Sequence, residues 1–218
     1  LIFLILAREI YPYAGVMVAE IHDDRYEQNT IATGLGGPTC LVFQHDVLHV
    51  CDRDGGRIIT IDGEVLLDGL DYPHGMVFVE EGIVISEKGK LSIYDFNFEN
   101  PETLVDGIPS GNHQTNAVNL LPNGTLVWHS GSTCNLCDED DERNAALLWV
   151  NLTTKEHGIL ATGVRNSFDG VWVDEIGYLF TDNGQDTMGE DFPDEEVNLL
   201  VDGADYGWLE ESPEDPHP

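Results

Sequence analysis

The chain has 218 residues, enough for one good-sized core or two small ones, and its 41% apolar content with 23 glycines points to a folded, turn-rich protein. Forty-one acidic residues against 9 basic ones leave a formal net charge of -32, a field that repels nucleic acid and anionic membrane surfaces and excludes both as main partners. Such a surface suits a solvated protein in a salty or extracytoplasmic setting, or one that holds cations.

Leu1-Ile2-Phe3-Leu4-Ile5-Leu6-Ala7 opens the chain. It is far short of the roughly 20 apolar residues that cross a bilayer, so no membrane insertion is expected. It reads either as a buried strand or as the tail of a clipped signal peptide. Residues 1–30 are accordingly set apart as N-terminal strand or leader, and residues 31–218 as a partial β-propeller domain; both ends read as cut.

From residue 31 onward a repeat governs the sequence. Ile31-Ala32-Thr33-Gly34-Leu35 is echoed by Leu66-Leu67-Asp68-Gly69-Leu70, Leu104-Val105-Asp106-Gly107-Ile108 and Leu160-Ala161-Thr162-Gly163-Val164. After each glycine comes a polar turn and then a β-rich run: Leu41-Val42-Phe43, Met76-Val77-Phe78-Val79, Ala117-Val118-Asn119-Leu120 and Val171-Trp172-Val173. A second run follows a tight turn, as in Val47-Leu48-His49-Val50, Ile83-Val84-Ile85, Thr125-Leu126-Val127-Trp128 and Tyr178-Leu179-Phe180. In three of the four units an acid and a glycine come next: Asp52 with Gly55, Glu87 with Gly89, Asp182 with Gly184. Short β-branched and aromatic runs between turn residues are strands, and no stretch sustains a helical apolar period. Units of roughly 40–50 residues with four strands each are what propeller blades look like. The expected fold is all-β, a β-propeller of about four blades belonging to a larger, six-bladed ring. Trp128, Trp149, Trp172 and Trp208 are expected in the core between blades.

Four cysteines are too few for a disulfide scaffold. Cys40 and Cys51 flank a hairpin and could face each other, and Cys134-Asn135-Leu136-Cys137 has the spacing of a zinc knuckle without a second pair to complete four ligands. Disulfides at these places would imply an oxidising compartment; free thiols are the alternative. Asn123-Gly124-Thr125 and Asn151-Leu152-Thr153 match the glycosylation sequon, the first being better explained as an Asn-Gly hairpin turn. Asp138-Glu139-Asp140-Asp141-Glu142 is most simply a solvated insertion loop, with a cation site as the rival.

His113-Gln114, Arg165-Asn166, the turn Thr181-Asp182-Asn183-Gly184-Gln185-Asp186, then Glu196-Val197-Asn198-Leu199 and Asp205-Tyr206-Gly207-Trp208 follow one another in an order that resembles the soluble quinoprotein glucose/sorbosone dehydrogenases. The run Gly131-Ser132-Thr133-Cys134-Asn135-Leu136-Cys137-Asp138-Glu139 looks like their sorbosone branch. The resemblance covers residues 107–208 well and residues 33–106 more weakly. It implies a six-bladed propeller that binds pyrroloquinoline quinone (PQQ) and calcium, oxidises an aldose or related sugar, and passes electrons to an external acceptor outside the cytoplasm, in an extracellular or periplasmic setting.

Carried over residue by residue, the resemblance makes His113 the base for the anomeric hydroxyl. Gln114 and the Arg165-Asn166 pair become cofactor contacts, with Arg165 also catalytic. The backbone carbonyls of Gly184 and Gln185 become calcium ligands, and Glu196 with Tyr206 a second, structural calcium site. His74, in Tyr72-Pro73-His74-Gly75, could line the substrate mouth. In the family further cofactor-gripping basic residues come from later blades, so the activity implied is that of a longer protein. The chemistry suits these residue types: a neutral imidazole takes a proton near neutrality, and a guanidinium with an amide stabilises charge developing on a quinone oxygen. For Arg165 the rival is a structural ion pair. Two other readings remain open: a gluconolactonase-type hydrolase with one divalent ion on Asn166, Asn183 and Asp182, and a secreted, non-catalytic binding propeller.

Overall fold

The computed structural model describes residues 22–23, 25–186 and 195–210; the expectation of a strand or leader within residues 1–30 falls mainly outside them. Two units are present, residues 1–33 and 34–218, and in the described part of the first no strand forms.

The second unit is all-β. Strands β1 (Pro38–Gln44), β2 (Val47–Asp52), β3 (Arg57–Thr60) and β4 (Val65–Asp68) form an antiparallel sheet in chain order. The next sheet is β5 (Gly75–Val79), β6 (Gly82–Glu87), β7 (Lys90–Tyr94) and β8 (Glu102–Val105). A third contains β9 (Thr115–Leu120), β10 (Leu126–Ser130), β11 (Ala146–Val150) and β12 (His157–Thr162), and a fourth β13 (Gly170–Val173), β14 (Gly177–Asp182) and β15 (Glu196–Leu199). Four successive meanders are four blades of a β-propeller, as the repeat predicts.

The fourth blade departs from the four-strand expectation. It has three strands among the described residues, and β16 (Ala204–Asp205) pairs in parallel with β12 at the edge of the third blade. Gly203 N, Tyr206 N and Trp208 N donate to Leu160 O, Thr162 O and Gly163 O at 2.7, 2.9 and 3.1 Å. The run Asp205-Tyr206-Gly207-Trp208 therefore closes the edge of blade three, and Trp208 begins a single 3-10 turn, Trp208–Glu210.

Three apolar clusters fill the three seams. Ile58, Leu70 and Cys51 meet Met76, Ile83, Ile85 and Tyr94 between blades one and two. Val84, Leu91 and Leu104 meet Val118, Leu126, Trp128 and Leu148 between blades two and three. Val127, Leu147 and Val164 meet Tyr178 and Phe180 between blades three and four. Successive strand residues point to opposite faces, so Ile83-Val84-Ile85 and Leu126-Val127-Trp128 supply two seams at once. That is why these strands read as unbroken apolar strings rather than alternating ones. Trp128 and Trp208 are buried, at 0% and 1% exposure. Trp149 is half-buried against Gly158. Trp172 is 41% exposed, against the expectation for it; it pairs with Tyr178 but lies outside the buried cluster between blades three and four, and its indole donates to Asp174 Oδ1 at 3.1 Å.

Turn chemistry agrees with the strand ends. His45 and Asp46, both at positive φ (46° and 65°), join β1 to β2 as a two-residue hairpin turn. Asn123-Gly124 joins β9 to β10, with Gly124 at φ 85° and Asn123 Oδ1 accepting Thr125 N at 3.0 Å. Disulfides link Cys40 to Cys51 across the β1–β2 pair and Cys134 to Cys137 within one loop, and no cysteine is free.

Candidate functional site

The first strands of the blades gather together. A Cβ on Gly75 would stand 2.7 Å from Ala117 Cα, so only glycine lets β5 approach β9 this closely. Ala117 N donates to Phe168 O at 3.4 Å, and Thr39 Oγ1 to Pro73 O at 3.1 Å, tying the entrances of neighbouring first strands to one another.

The acid that ends the second strand secures each entrance. Asp52 Oδ1 accepts Gly36 N (2.5 Å) and its Oδ2 accepts Arg57 Nε (2.7 Å). Glu87 accepts Asp71 N (2.9 Å) and Lys90 Nζ (3.1 Å). Asp182 accepts Arg165 N and Asn166 N at 2.9 and 2.7 Å. All three carboxylates are buried, at 0–5% exposure, and each satisfies backbone donors that would otherwise be orphaned. In blade three the equivalent position is Ser130, and backbone bonds from Gly131 N to Gln114 O and from His113 N to Ser132 O take over.

These entrances enclose a cavity of about 440 Å³. His74, His113, Gln114 and Asn166 line it, together with Arg53, Lys88, Asn112 and Asn116, the aromatic faces of Tyr72 and Phe168, and Gly111. Among the described residues its lining contains no carboxylate. Of the residues singled out from sequence, four thus converge here.

His113 is oriented by a neighbour. Its Nδ1 lies 2.8 Å from Ser132 Oγ and 3.2 Å from Ser132 O, while Ser132 Oγ donates its own hydrogen to Cys134 O at 2.8 Å. Both Ser132 oxygens therefore act as acceptors toward the ring, which places the proton on Nδ1 and leaves the Nε2 lone pair as a base. Desolvation, reinforced by the Arg165 charge, lowers the His113 pKa from its usual 6.5, although Ser132 and Asp186 oppose the shift. Gly131 makes the arrangement possible, since a Cβ there would lie 2.7 Å from His113 Cβ and 3.2 Å from Asn166 Oδ1. Asn166 Oδ1 accepts Asn116 Nδ2 at 2.9 Å, and Gln114 Nε2 approaches Tyr72 O at 3.5 Å.

Arg165 is placed elsewhere. Its guanidinium does not line the cavity; it is 2% exposed and donates to Asn135 O, Asn135 Oδ1, Asn183 O, Gly184 O and Asp186 Oδ2 at 2.5–3.2 Å. It locks the loop Cys134–Cys137 against the turn 183–186, beside His113 rather than across an open site from it. The Gly184 carbonyl matched to calcium accepts from this cation, and a dication at the same oxygen would face it. Gln185 is buried at 6% exposure. Glu196 Oε2 accepts Asn198 Nδ2 at 2.8 Å. The Tyr206 hydroxyl donates to Leu199 O and accepts from Val201 N, at 2.5 and 3.0 Å. Among the described residues, the Glu196 and Tyr206 side chains are thus engaged with Asn198, Leu199 and Val201. Among the described residues the one group of three His, Cys, Asp or Glu within metal-ligand reach is Cys134, Cys137 and Glu139. There the sulfurs are joined to each other, and Glu139 accepts from Thr133 N and Oγ1 at 2.7 Å each.

His74 packs edge-on to Phe168, with centroids 4.6 Å apart, and its Nδ1 has no hydrogen-bond partner among the described residues. Burial, with help from the Arg53 charge, holds its pKa down at about 4, so it is neutral at pH 7. Gly131, Ser132 and Asn135 were noted in sequence only as part of a motif run, and Arg53, Lys88, Asn116 and Phe168 are among the lining residues that sequence reasoning gave no site role. For Arg53 and Lys88 a signal existed, because each directly follows the acid that recurs at the end of the second strand.

No family model matches the chain. A curated protein of Borreliella burgdorferi, itself described as uncharacterized, is 34% identical over 105 residues, covering 45% of this chain and 27% of its own length. Among solved structures, that of a Trichoderma reesei carbohydrate-active enzyme of family AA12 aligns with a TM-score of 0.71 at 20% identity, over 86% of this chain and 59% of that one. The PQQ-bound aldose sugar dehydrogenase of Streptomyces coelicolor aligns with a TM-score of 0.62 at 20% identity, over 84% of this chain and 66% of that one. At such identities the likeness shows the β-propeller fold. The chain spans about a quarter of the curated relative and about three-fifths to two-thirds of the two solved structures.

Proposed function

We propose that the cavity belongs to a sugar oxidoreductase of the quinoprotein kind, in which His113 is the general base and an aldose or related sugar the substrate. The observation that carries this reading is the His113 tautomer: Nδ1 is committed to Ser132, so Nε2 is the acceptor in a cavity shared with amide donors. Oxidising a lactol removes a proton from oxygen and a hydride from carbon. His113 takes the proton. The amides of Gln114 and Asn166 and the flat faces of Tyr72 and Phe168 fit a planar, oxygen-rich quinone such as PQQ, which when bound supplies the two-electron acceptor. Arg165 contributes as a buried cation that keeps His113 neutral and holds the loops around it. Calcium is assigned no step. The two disulfides suit an oxidising, extracellular or periplasmic setting, and no described helix is long and apolar enough to cross a membrane.

The hydrolase reading needs a carboxylate on a divalent ion in the cavity. Among the described residues the lining has none, and both Asp182 oxygens already accept backbone donors. The test is reconstitution with PQQ, with and without calcium, followed by aldose-dependent reduction of an electron-accepting dye. Dye reduction supports the reading; lactone hydrolysis without quinone replaces it with the hydrolase, and neither activity leaves a binding propeller.

A further inference from the structure

In a chain with 41 acidic and 9 basic residues, two of the basic ones meet in a cavity whose lining, among the described residues, holds no acid. Arg53 and Lys88 occupy the same position in consecutive blades, directly after the carboxylates Asp52 and Glu87 that end β2 and β6. Each carboxylate turns inward, onto a backbone N–H and onto a base of the third strand: Asp52 onto Gly36 and Arg57, Glu87 onto Asp71 and Lys90. The negative charge is thereby withdrawn from the cavity, and the following cation is left to line it. Lys88 Nζ stands 5.7 Å from the Tyr72 ring centroid and makes no ion pair among the described residues. Arg53 Nε pairs with Asp54 at 2.8 Å, but both side chains are more than a third exposed and the pair is screened. The Arg53 charge still reaches into the cavity, where it helps hold His74 neutral.

We propose that Arg53 and Lys88 form a subsite for a negatively charged group on the substrate, so that the molecule presented to His113 is a sugar bearing a carboxylate or a phosphate. This rests on the redox reading for what happens at His113, but not for the charge preference itself. The overall field of the chain disfavours anions, so binding one requires a local reversal of sign, and this cavity supplies it. A guanidinium fork and an ammonium suit carboxylate or phosphate oxygens, while the amides of Asn112 and Gln114 suit sugar hydroxyls.

The test is calorimetric titration of the chain, without quinone, with D-glucuronate, glucose 6-phosphate and glucose at low ionic strength. One of the charged sugars is expected to bind at least roughly tenfold tighter than glucose, as a charge-assisted contact requires. Salt should narrow that advantage, and an Arg53→Gln/Lys88→Gln double variant of unchanged melting temperature should abolish it. Equal affinity for all three, or a preference that survives in the double variant, overturns the proposal. A parallel titration with PQQ separates cofactor from substrate. If the double variant loses PQQ affinity while neither charged sugar is preferred by the wild type, the cations serve the cofactor and the subsite falls. Preferred binding of a charged sugar without dye reduction under reconstitution keeps the subsite and removes the redox reading instead.

Discussion

Removing the His113 imidazole strips the cavity of its proposed general base while leaving the amide donors of Gln114 and Asn166 in place. His113→Ala is therefore expected to lower turnover at least ~10²-fold with little change in quinone affinity, measured by steady-state kinetics and cofactor titration. Ser132→Ala removes one of the two acceptors that place the proton on Nδ1 but keeps the Ser132 carbonyl, so its loss should be smaller, roughly tenfold. The acid limb of the pH–rate profile has a defined sign. The active form is neutral, and the His113 pKa is lowered from 6.5, so kcat/KM should hold through neutrality and fall only below pH 6.5. Asp186 raises that pKa, hence Asp186→Asn should move the limb to still lower pH; a shift upward would refute the assignment. That His113 and Asn166 line one cavity was legible through the order of motifs that carries the family resemblance. For Arg165 the alternative of a structural ion pair was legible, and Asp186 Oδ2 accepts it at 2.7 Å, but the rest of its surroundings was not. Its acceptors on Asn135 and Gly184 depend on a loop folded back by the Cys134–Cys137 disulfide, a geometry that no local pattern encodes.

The carboxylate clamps are the recurring device at the level of strands. Asp182 receives two backbone donors, so in Asp182→Asn one donor would face an NH₂ group in a buried setting. The expected cost is about 1–3 kcal/mol in denaturant unfolding, together with weaker activity because the 165–166 backbone is released. The disulfide loop acts on the same site from blade three: Asn135 accepts both Arg165 and Trp208, and Cys134 O accepts Ser132. Replacing Cys134 and Cys137 by Ser should lower activity by more than it lowers the melting temperature, since so short a loop constrains the unfolded chain little. Blades one to three could be read from the sequence because strands that pack on both faces become apolar strings, as in Ile83-Val84-Ile85. The fourth blade could not be read as fully. The segment after β15 carries the same strand-forming residues, yet Ala204–Asp205 joins β12 instead, a long-range choice made by the edge left open on blade three.

At the scale of the whole molecule, two buried histidines, His129 and His74, are held neutral by the packing of the blades. His129 on β10 is fully buried, with Nδ1 2.7 Å from Ser167 Oγ and Nε2 2.7 Å from the Tyr178 hydroxyl, and desolvation lowers its pKa to about 3. His74 stands at about 4. Both folded values lie below the unfolded 6.5, so the unfolded chain takes up protons first. The stability these groups contribute is complete above pH 6.5 and drains away as pH falls toward 4 and then 3. Each contributes about 1.4 kcal/mol per pH unit in that window. The melting temperature should therefore drop steadily from pH 6.5 to 4, and His129→Gln, which keeps hydrogen-bonding capacity without the titration, should flatten part of that slope. The packing of the four tryptophans adds an optical consequence. Trp128 and Trp208 are enclosed, Trp172 is open to water, and the Trp208 indole donates to the carbonyl of Asn135 at 3.1 Å, on the loop that braces the His113 side of the cavity. Intrinsic fluorescence thus contains a built-in reporter. Iodide should quench the red-shifted emission of Trp172 selectively, and the protected blue component that remains should change when the loop is opened by a thiol reductant.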